Sequence, residues 1–286
     1  MNKMLAIFEL MRLDKPIGIY LLLWPALLAL VISTKGNFEY VDLLIVIIGS
    51  ILVRSAGCVI NDIWDKDLDG GVERTKMRPI PSKKLSISES WAVFAMLGVL
   101  SLMLLSLTNT NTIFISICFG LMIVLYPLTK RFFIGPQIFL GLTFNPTIIV
   151  YAMTNELNNP TMLFLYFAIA AKTIAFDTYY GLCDLEDDKK LGINSTPLWW
   201  GTKTLLIIAI LQIVVINLLF VVGYKAELSS AWFIGIILLS GFYFYQYNLA
   251  SQKKFLMAFK NNHWASLYLL ALSVLLSLIH ISEPTR

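Results

Sequence analysis

Acidic residues are scarce in this chain, yet they gather at two places. The first is Asn61, Asp62, Asp65 and Asp69, spaced NDxxDxxxD. Offsets of three, four and seven predict that its three aspartates share one helix face. The second is Asp177, Asp184 and Asp188, at offsets of seven and four, which also share a face if the helix continues; Glu186 and Asp187 lie beside them. Like charges on one face repel, and near a membrane they also lose hydration, so each cluster is costly unless a cation neutralises it. Oxygen-only ligands without His or Cys suit a hard divalent cation, and magnesium in particular, because it keeps some waters and shares substrate phosphates. The expected metal ligands are Asn61, Asp62, Asp65, Asp69, Asp184 and Asp188. Solvated carboxylates that merely balance lysines would account for one such cluster; two of the same kind, both ending apolar segments, favour the metal reading.

Basic residues extend that chemistry. A diphosphate bridging two metal sites keeps charge that Lys and Arg can absorb, and Arg offers a fork matched to phosphate oxygens. Arg74 and Arg78 lie in ERTKMRPIPS just after the first cluster, and Lys130 and Arg131 end the segment YPLTKR. Each is also the kind of residue that topology alone puts on the inner side of a membrane. Arg54 is different, because a charge inside a span costs roughly 2.5 to 3.5 kcal/mol and must face a polar interior. It precedes Asn61 by seven residues, two turns back on the same face. Lys172 holds a similar depth before Asp177, where a structural role is an equal alternative.

The elements that position these groups are read from hydropathy. Of 286 residues, 58% are hydrophobic and only 14% charged, a membrane composition rather than a soluble one. About 20 apolar residues cross a bilayer, and runs of that length recur at 17–34, 41–63, 90–108, 113–129, 134–153, 161–181, 203–223, 230–249 and 263–280. The expectation is an all-α bundle of nine transmembrane helices forming one domain over 1–286, with no separate soluble unit. No cleavable leader is expected, since the first apolar run has span length and no small-residue cleavage site. With an inside N terminus, 17 of the 22 Lys and Arg fall on the cytoplasmic side and only three outside. Both acidic clusters then lie on the cytoplasmic side. The net charge of +4 follows from topology and anionic headgroups, so no nucleic-acid partner is implied. Cys58, Cys118 and Cys183, without CxxC spacing, read as packing residues.

The chain resembles the UbiA superfamily of intramembrane prenyltransferases, and within it the 4-hydroxybenzoate polyprenyltransferases. The similar segments are RLDKPIGIYLLLWP (12–25), RSAGCVINDIWDKDLD (54–69), ERTKMRPIPS (73–82), YPLTKR (126–131) and AFDTYYGLCDLEDDKKLGINST (175–196). The resemblance implies a central cavity at the cytoplasmic side of a bacterial inner-membrane protein, Mg2+ as cofactor, and a polyprenyl diphosphate and an aromatic acid as substrates. It matches Asn61, Asp62, Asp65 and Asp69 to the first metal and diphosphate motif and Asp184 and Asp188 to the second, with Asp177 just upstream on the substrate side. Tyr126 and Lys130 match a YxxxK element associated with the diphosphate and the developing cation. Phe176 stands where many relatives carry tyrosine, which bears on local packing only. Asp65, Asp184, Asp188, Lys130 and Tyr126 are the expected catalytic set; Arg54, Arg74, Arg78, Arg131 and Asp177 are expected to bind substrate, Arg54 through the aromatic carboxylate. The proton-accepting base is left open between Asp184, Asp188 and released diphosphate, and the oligomeric state is open too. A sibling acceptor (a naphthoate, homogentisate or haem), a divalent-cation transporter and a noncatalytic lipid-binding protein are the competing readings. A transporter would carry ionisable groups through the whole depth of the bundle, whereas here they cluster at one side. His263 and His280 read as interfacial, and the terminal SEPTR as a truncated or a non-native end.

Overall fold

The computed structural model describes residues 3–71 and 75–282. Among them every regular element is helical: α1 (Lys3–Leu10), α2 (Ile17–Ser33), α3 (Tyr40–Trp64), α4 (Ile87–Leu105), α5 (Thr110–Thr129), α6 (Pro136–Thr143), α7 (Thr147–Met153), α8 (Thr161–Gly181), α9 (Leu185–Leu191), α10 (Thr196–Trp200), α11 (Thr204–Lys225), α12 (Ser230–Ser251) and α13 (Phe255–Ser282). Six segments, α3, α4, α5, α8, α10 continued through α11 (Thr196–Lys225), and α12, are long and apolar enough to cross a membrane. The apolar α2 is shorter, at 17 residues.

Local chemistry sets the ends. Ser86 and Glu89 form a reciprocal capping box that starts α4, and Asn109 accepts from the Thr112 amide to start α5; each satisfies amides that the first turn leaves unpaired. The run at 134–153, expected as one span, is instead the pair α6 and α7. Pro146 has no amide to donate and restricts the residue before it. The freed polar groups are met locally: Asn145 takes the Thr147 amide (3.2 Å) and donates to the Tyr166 carbonyl (2.8 Å), while the Tyr166 hydroxyl donates to the Leu142 carbonyl (2.9 Å). Broken helices in membranes are tolerated where neighbours satisfy the backbone in this way.

Helix α8 is the central post. It packs on α11, α6, α13, α7 and α2, and its residues Leu165, Ala168, Ile169 and Ala171 join Leu28, Tyr151, Leu219, Trp232 and Ile236 in the main core. Small residues permit the close approach: a methyl on Gly141 of α6 would come within 2.8 Å of the Ala170 carbonyl oxygen. A separate cluster, Ala6 and Leu10 against Val59, Ile63, Leu85, Val93 and Leu97, seats α1 on α3 and α4. Ion pairs Lys3–Glu89 and Lys84–Glu9 fasten it there. Lys172, buried at mid-span in α8, bonds the Ser266 hydroxyl and lies 5.5 Å from the centre of the Phe176 ring. His263 receives a hydrogen bond from Trp24 Nε1 (3.0 Å), joining α13 to α2. None of the three cysteines forms a disulfide; Cys58 is buried and Cys118 and Cys183 are exposed.

Candidate active site

Neither acidic cluster is one helix face. Helix α3 ends at Trp64, so Asp65 is its C-cap and Asp69 begins a short 3₁₀ turn. Helix α8 ends at Gly181, and Asp184 stands at the N-cap of the separate α9, which carries Asp188. The reason is local. Turning the chain at Asp65 and Gly181 moves the carboxylates off the helix axes and folds each loop back over the bundle end. A continuous helix would have driven them outward along straight rods.

The folded-back loops meet. The Asn194 amide donates to the Lys130 carbonyl (3.0 Å), and the Thr196 amide to Gln137 Oε1 (2.8 Å). A methyl on Gly71 would lie 3.6 Å from Leu191. The two acidic segments therefore border one site at one end of the bundle, with the end of α5 between them. Tyr126 stands within electrostatic reach of Asp177, Asp65, Arg54 and Asp188, and Lys130 within reach of Asp65, Arg78 and Asp177.

Each polar group has a distinct environment. Asn61 Nδ2 donates to Asp65 Oδ2 (3.1 Å), and Lys130 Nζ to the same oxygen (3.2 Å). The other oxygen, Asp65 Oδ1, is buried with no hydrogen-bond partner. Asp62, 1% exposed, is engaged through both oxygens: Arg12 Nη2 lies 2.9 and 2.8 Å from Oδ1 and Oδ2, and Arg78 Nη1 is 3.1 Å from Oδ1. The same Arg78 nitrogen donates to Asp69 Oδ2 (2.7 Å). Burial pushes the Asp69 carboxyl above the usual carboxylate range, and the neighbouring Asp62 and Asp65 push it further, against the pull of Arg78. Burial alone would lower Lys130, but the Asp65 carboxylate and its hydrogen bond outweigh that and hold the amine above its ordinary value. Arg54 lies with its guanidinium carbon 5.2 Å from the centre of the Phe144 ring, and its Nε is buried with no hydrogen-bond partner.

An orphaned buried oxygen on Asp65 marks a place where a further donor or cation would be met. The ligand atoms on offer there are carboxylate and amide oxygens without His or Cys, so a hard divalent cation fits. No group of three or more acidic, His or Cys residues is already arranged around a common metal position among the described residues.

Asn61, Asp62, Asp65, Asp69, Arg54, Arg78, Tyr126, Lys130, Asp177 and Asp188 thus share one neighbourhood, and Asp184 starts the helix that carries Asp188. Arg131 does something else: its Nη2 donates to the Trp64 carbonyl (2.7 Å), capping the last turn of α3. Arg74 lies outside the described residues. Arg12 was missed as a site residue, because 50 positions separate it from Asp62 and no short-range pattern links them. Its place in the RLDKPIG segment was the only signal available.

An apolar helical bundle with carboxylates, a lysine and arginines converging at one end, around a phenol and a partly unpaired guanidinium, defines a membrane-embedded enzyme for an anionic lipid-borne substrate. The chain belongs to the UbiA prenyltransferase family, whose profile matches residues 22–270. Similar proteins include a 4-hydroxybenzoate octaprenyltransferase of Alcanivorax borkumensis, 41% identical over 90% of both chains. One of Stutzerimonas stutzeri is 39% identical over 92% of this chain and 90% of its own. Among solved structures, the apo UbiA homolog from Aeropyrum pernix K1 superposes with a TM-score of 0.80 at 20% identity, covering 90% of this chain and 97% of that one. The Archaeoglobus fulgidus UbiA homolog bound to GPP and Mg2+ gives 0.73 at 17% identity, over 95% and 99%. At those identities the structures speak for the fold.

Proposed function

We propose that this protein transfers a polyprenyl group from its diphosphate to 4-hydroxybenzoate, at the ring carbon ortho to the hydroxyl, as a membrane step of ubiquinone biosynthesis. One observation of geometry carries the reading: two acidic segments, distant in sequence, border a single site with Tyr126 and Lys130 between them. The choice of acceptor is supported by relatives near 40% identity that are named for it. The unpaired Arg54 Nε supports it too, as a buried donor suited to an aromatic carboxylate.

Asn61, Asp65, Asp69, Asp184 and Asp188 would hold Mg2+, which when bound supplies Lewis-acid neutralisation of the departing diphosphate. Lys130, Arg78 and Arg74 absorb the remaining charge on that group as the allylic carbon–oxygen bond breaks, its electron pair leaving with the diphosphate. Asp177 and the Tyr126 ring border the allylic cation, whose positive charge an aromatic face and a carboxylate both stabilise. Arg54 fixes the acceptor carboxylate, so that the activated ring carbon attacks and then loses its proton to Asp184, Asp188 or the released diphosphate. Arg131 keeps the end of α3 in place. The whole chain acts as one domain of nine membrane crossings, α6 and α7 together making one, with the N terminus and a central cavity on the cytoplasmic side of the bacterial inner membrane. Support for that orientation is the lysine and arginine bias.

Purified membranes given one polyprenyl diphosphate and, in competition, 4-hydroxybenzoate, a dihydroxynaphthoate, homogentisate and haem test the reading. Prenylated 4-hydroxybenzoate should form, and chelation of divalent cations should stop it. Preference for another acceptor would reassign the substrate, and absence of any prenyl transfer would refute the activity.

A further inference from the structure

We infer that Asp62 is a positioning residue rather than a metal ligand: it anchors Arg12 and Arg78 as a preformed receptor for the substrate diphosphate. The inference rests on the prenyl-transfer reading above and concerns how the first acidic cluster divides its work. Its three aspartates look equivalent in sequence, but their surroundings differ. Asp65 keeps a buried oxygen without a partner, and Asp69 accepts from Arg78 through Oδ2 (2.7 Å). Asp62 has both oxygens engaged by guanidinium nitrogens at 2.8 to 3.1 Å. Mg2+ needs an oxygen at about 2.0 to 2.1 Å, so one bound to Asp62 would sit against two guanidiniums already on the same buried oxygens. That repulsion disfavours a cation on Asp62, whereas Asp65 keeps a buried oxygen without a partner.

The approach to Asp62 is also built at a cost. Arg12 adopts φ 58, a left-handed conformation that an L-residue avoids. The segment is held there from both sides. Helix α1 is buried through Ala6 and Leu10 and tied by Lys3–Glu89 and Lys84–Glu9, and Arg12 Nη1 donates to the Glu9 carbonyl (3.0 Å). The outcome is a pair of guanidiniums locked on one carboxylate, with side-chain exposures of 22% and 18% against 1% for Asp62. An arginine whose guanidinium is held in place by a carboxylate meets a phosphate with little further loss of side-chain entropy, and its positive charge and N–H donors suit phosphate oxygens. Arg78 also touches Asp69, so the receptor abuts the carboxylates expected to hold metal.

The test uses the purified full chain in detergent micelles, with Mn2+ binding read by electron paramagnetic resonance and binding of farnesyl thiolodiphosphate, which resists ionisation, read by calorimetry. Asp62→Asn should weaken the analogue by at least about tenfold, with Mn2+ affinity within about twofold of wild type. Asp65→Asn should instead lose at least about tenfold in Mn2+ affinity. In an Arg12→Gln background, Asp62→Asn should cost the analogue much less than it does alone, because it acts through that arginine. If Asp62→Asn fails to fold, Asp62→Glu, which keeps the charge but displaces the guanidiniums, should show the same split. Loss of Mn2+ in either Asp62 variant to the extent seen for Asp65→Asn, with wild type binding both probes, overturns the anchor role alone. A wild type that binds neither probe overturns the prenyl-transfer reading and the anchor with it.

Discussion

Gly18→Ala is the sharpest probe of how the acceptor is held. Gly18 lies in the first turn of α2, and a Cβ built there would come 2.5 Å from Arg54 Nε, 2.7 Å from Nη2 and 3.0 Å from Cζ. To regain ordinary contact the guanidinium must retreat by about 0.9 Å. The atoms met are the far end of a long side chain and not backbone, so folding should change by less than about 1 kcal/mol. Binding of the aromatic carboxylate should suffer much more. A charge-assisted hydrogen bond contributes about 1.5 to 3 kcal/mol, and a displacement near 1 Å at a reacting complex can cost about 10²-fold. KM for 4-hydroxybenzoate should therefore rise about 10- to 100-fold, with KM for the polyprenyl diphosphate unchanged, because Asp65, Asp69, Arg78 and Lys130 are untouched. Steady-state assays in membranes with each substrate varied in turn measure this, and melting of the purified protein checks the fold. Arg54→Lys, which removes the fork but keeps the charge, should reproduce the split. A folded Gly18→Ala enzyme with an unaltered acceptor KM, or with both KM values raised alike, would refute the placement of the carboxylate on Arg54.

Other variants separate chemistry from architecture. Asp184→Asn should lower kcat at least about 10²-fold in the same assay while the protein still inserts and melts normally; retained turnover would remove the second cluster from the mechanism. Lys172→Met should leave prenyl transfer intact and hold or raise the melting temperature, since it deletes a charge whose burial at mid-membrane costs roughly 2.5 to 3.5 kcal/mol; a folded but inactive variant would bring Lys172 into the chemistry. Gly223→Ala should do the opposite. Its methyl would meet Trp232 at 2.2 Å, and that indole is fully buried and donates to the Leu219 carbonyl. A destabilisation of about 1 to 3 kcal/mol is expected, read as a lower melting temperature with both KM values unchanged, and an unshifted melt would refute the packing argument.

Hydropathy alone disclosed an all-helical membrane protein, because apolar runs long enough to cross a bilayer leave the backbone no alternative to internal hydrogen bonding. Spacing of NDxxDxxxD and of Asp177, Asp184 and Asp188 likewise disclosed two acidic clusters, since uncompensated carboxylates beside a membrane are too costly to be incidental. Pro146 was visible in the run at 134–153, yet its effect was not, because a proline in an apolar helix either kinks or breaks it according to what neighbours offer the freed backbone groups. Here the offer came from Asn145 and Tyr166. Tertiary structure alone decided that both clusters leave their helices at Asp65 and Gly181, that Asp62 belongs to Arg12 and Arg78, and that Arg131 caps α3. Such pairings join residues tens of positions apart, and a periodic pattern reports only which residues share a face within one element. Which charges neutralise one another depends on how separate elements pack, and that is fixed by the three-dimensional fold.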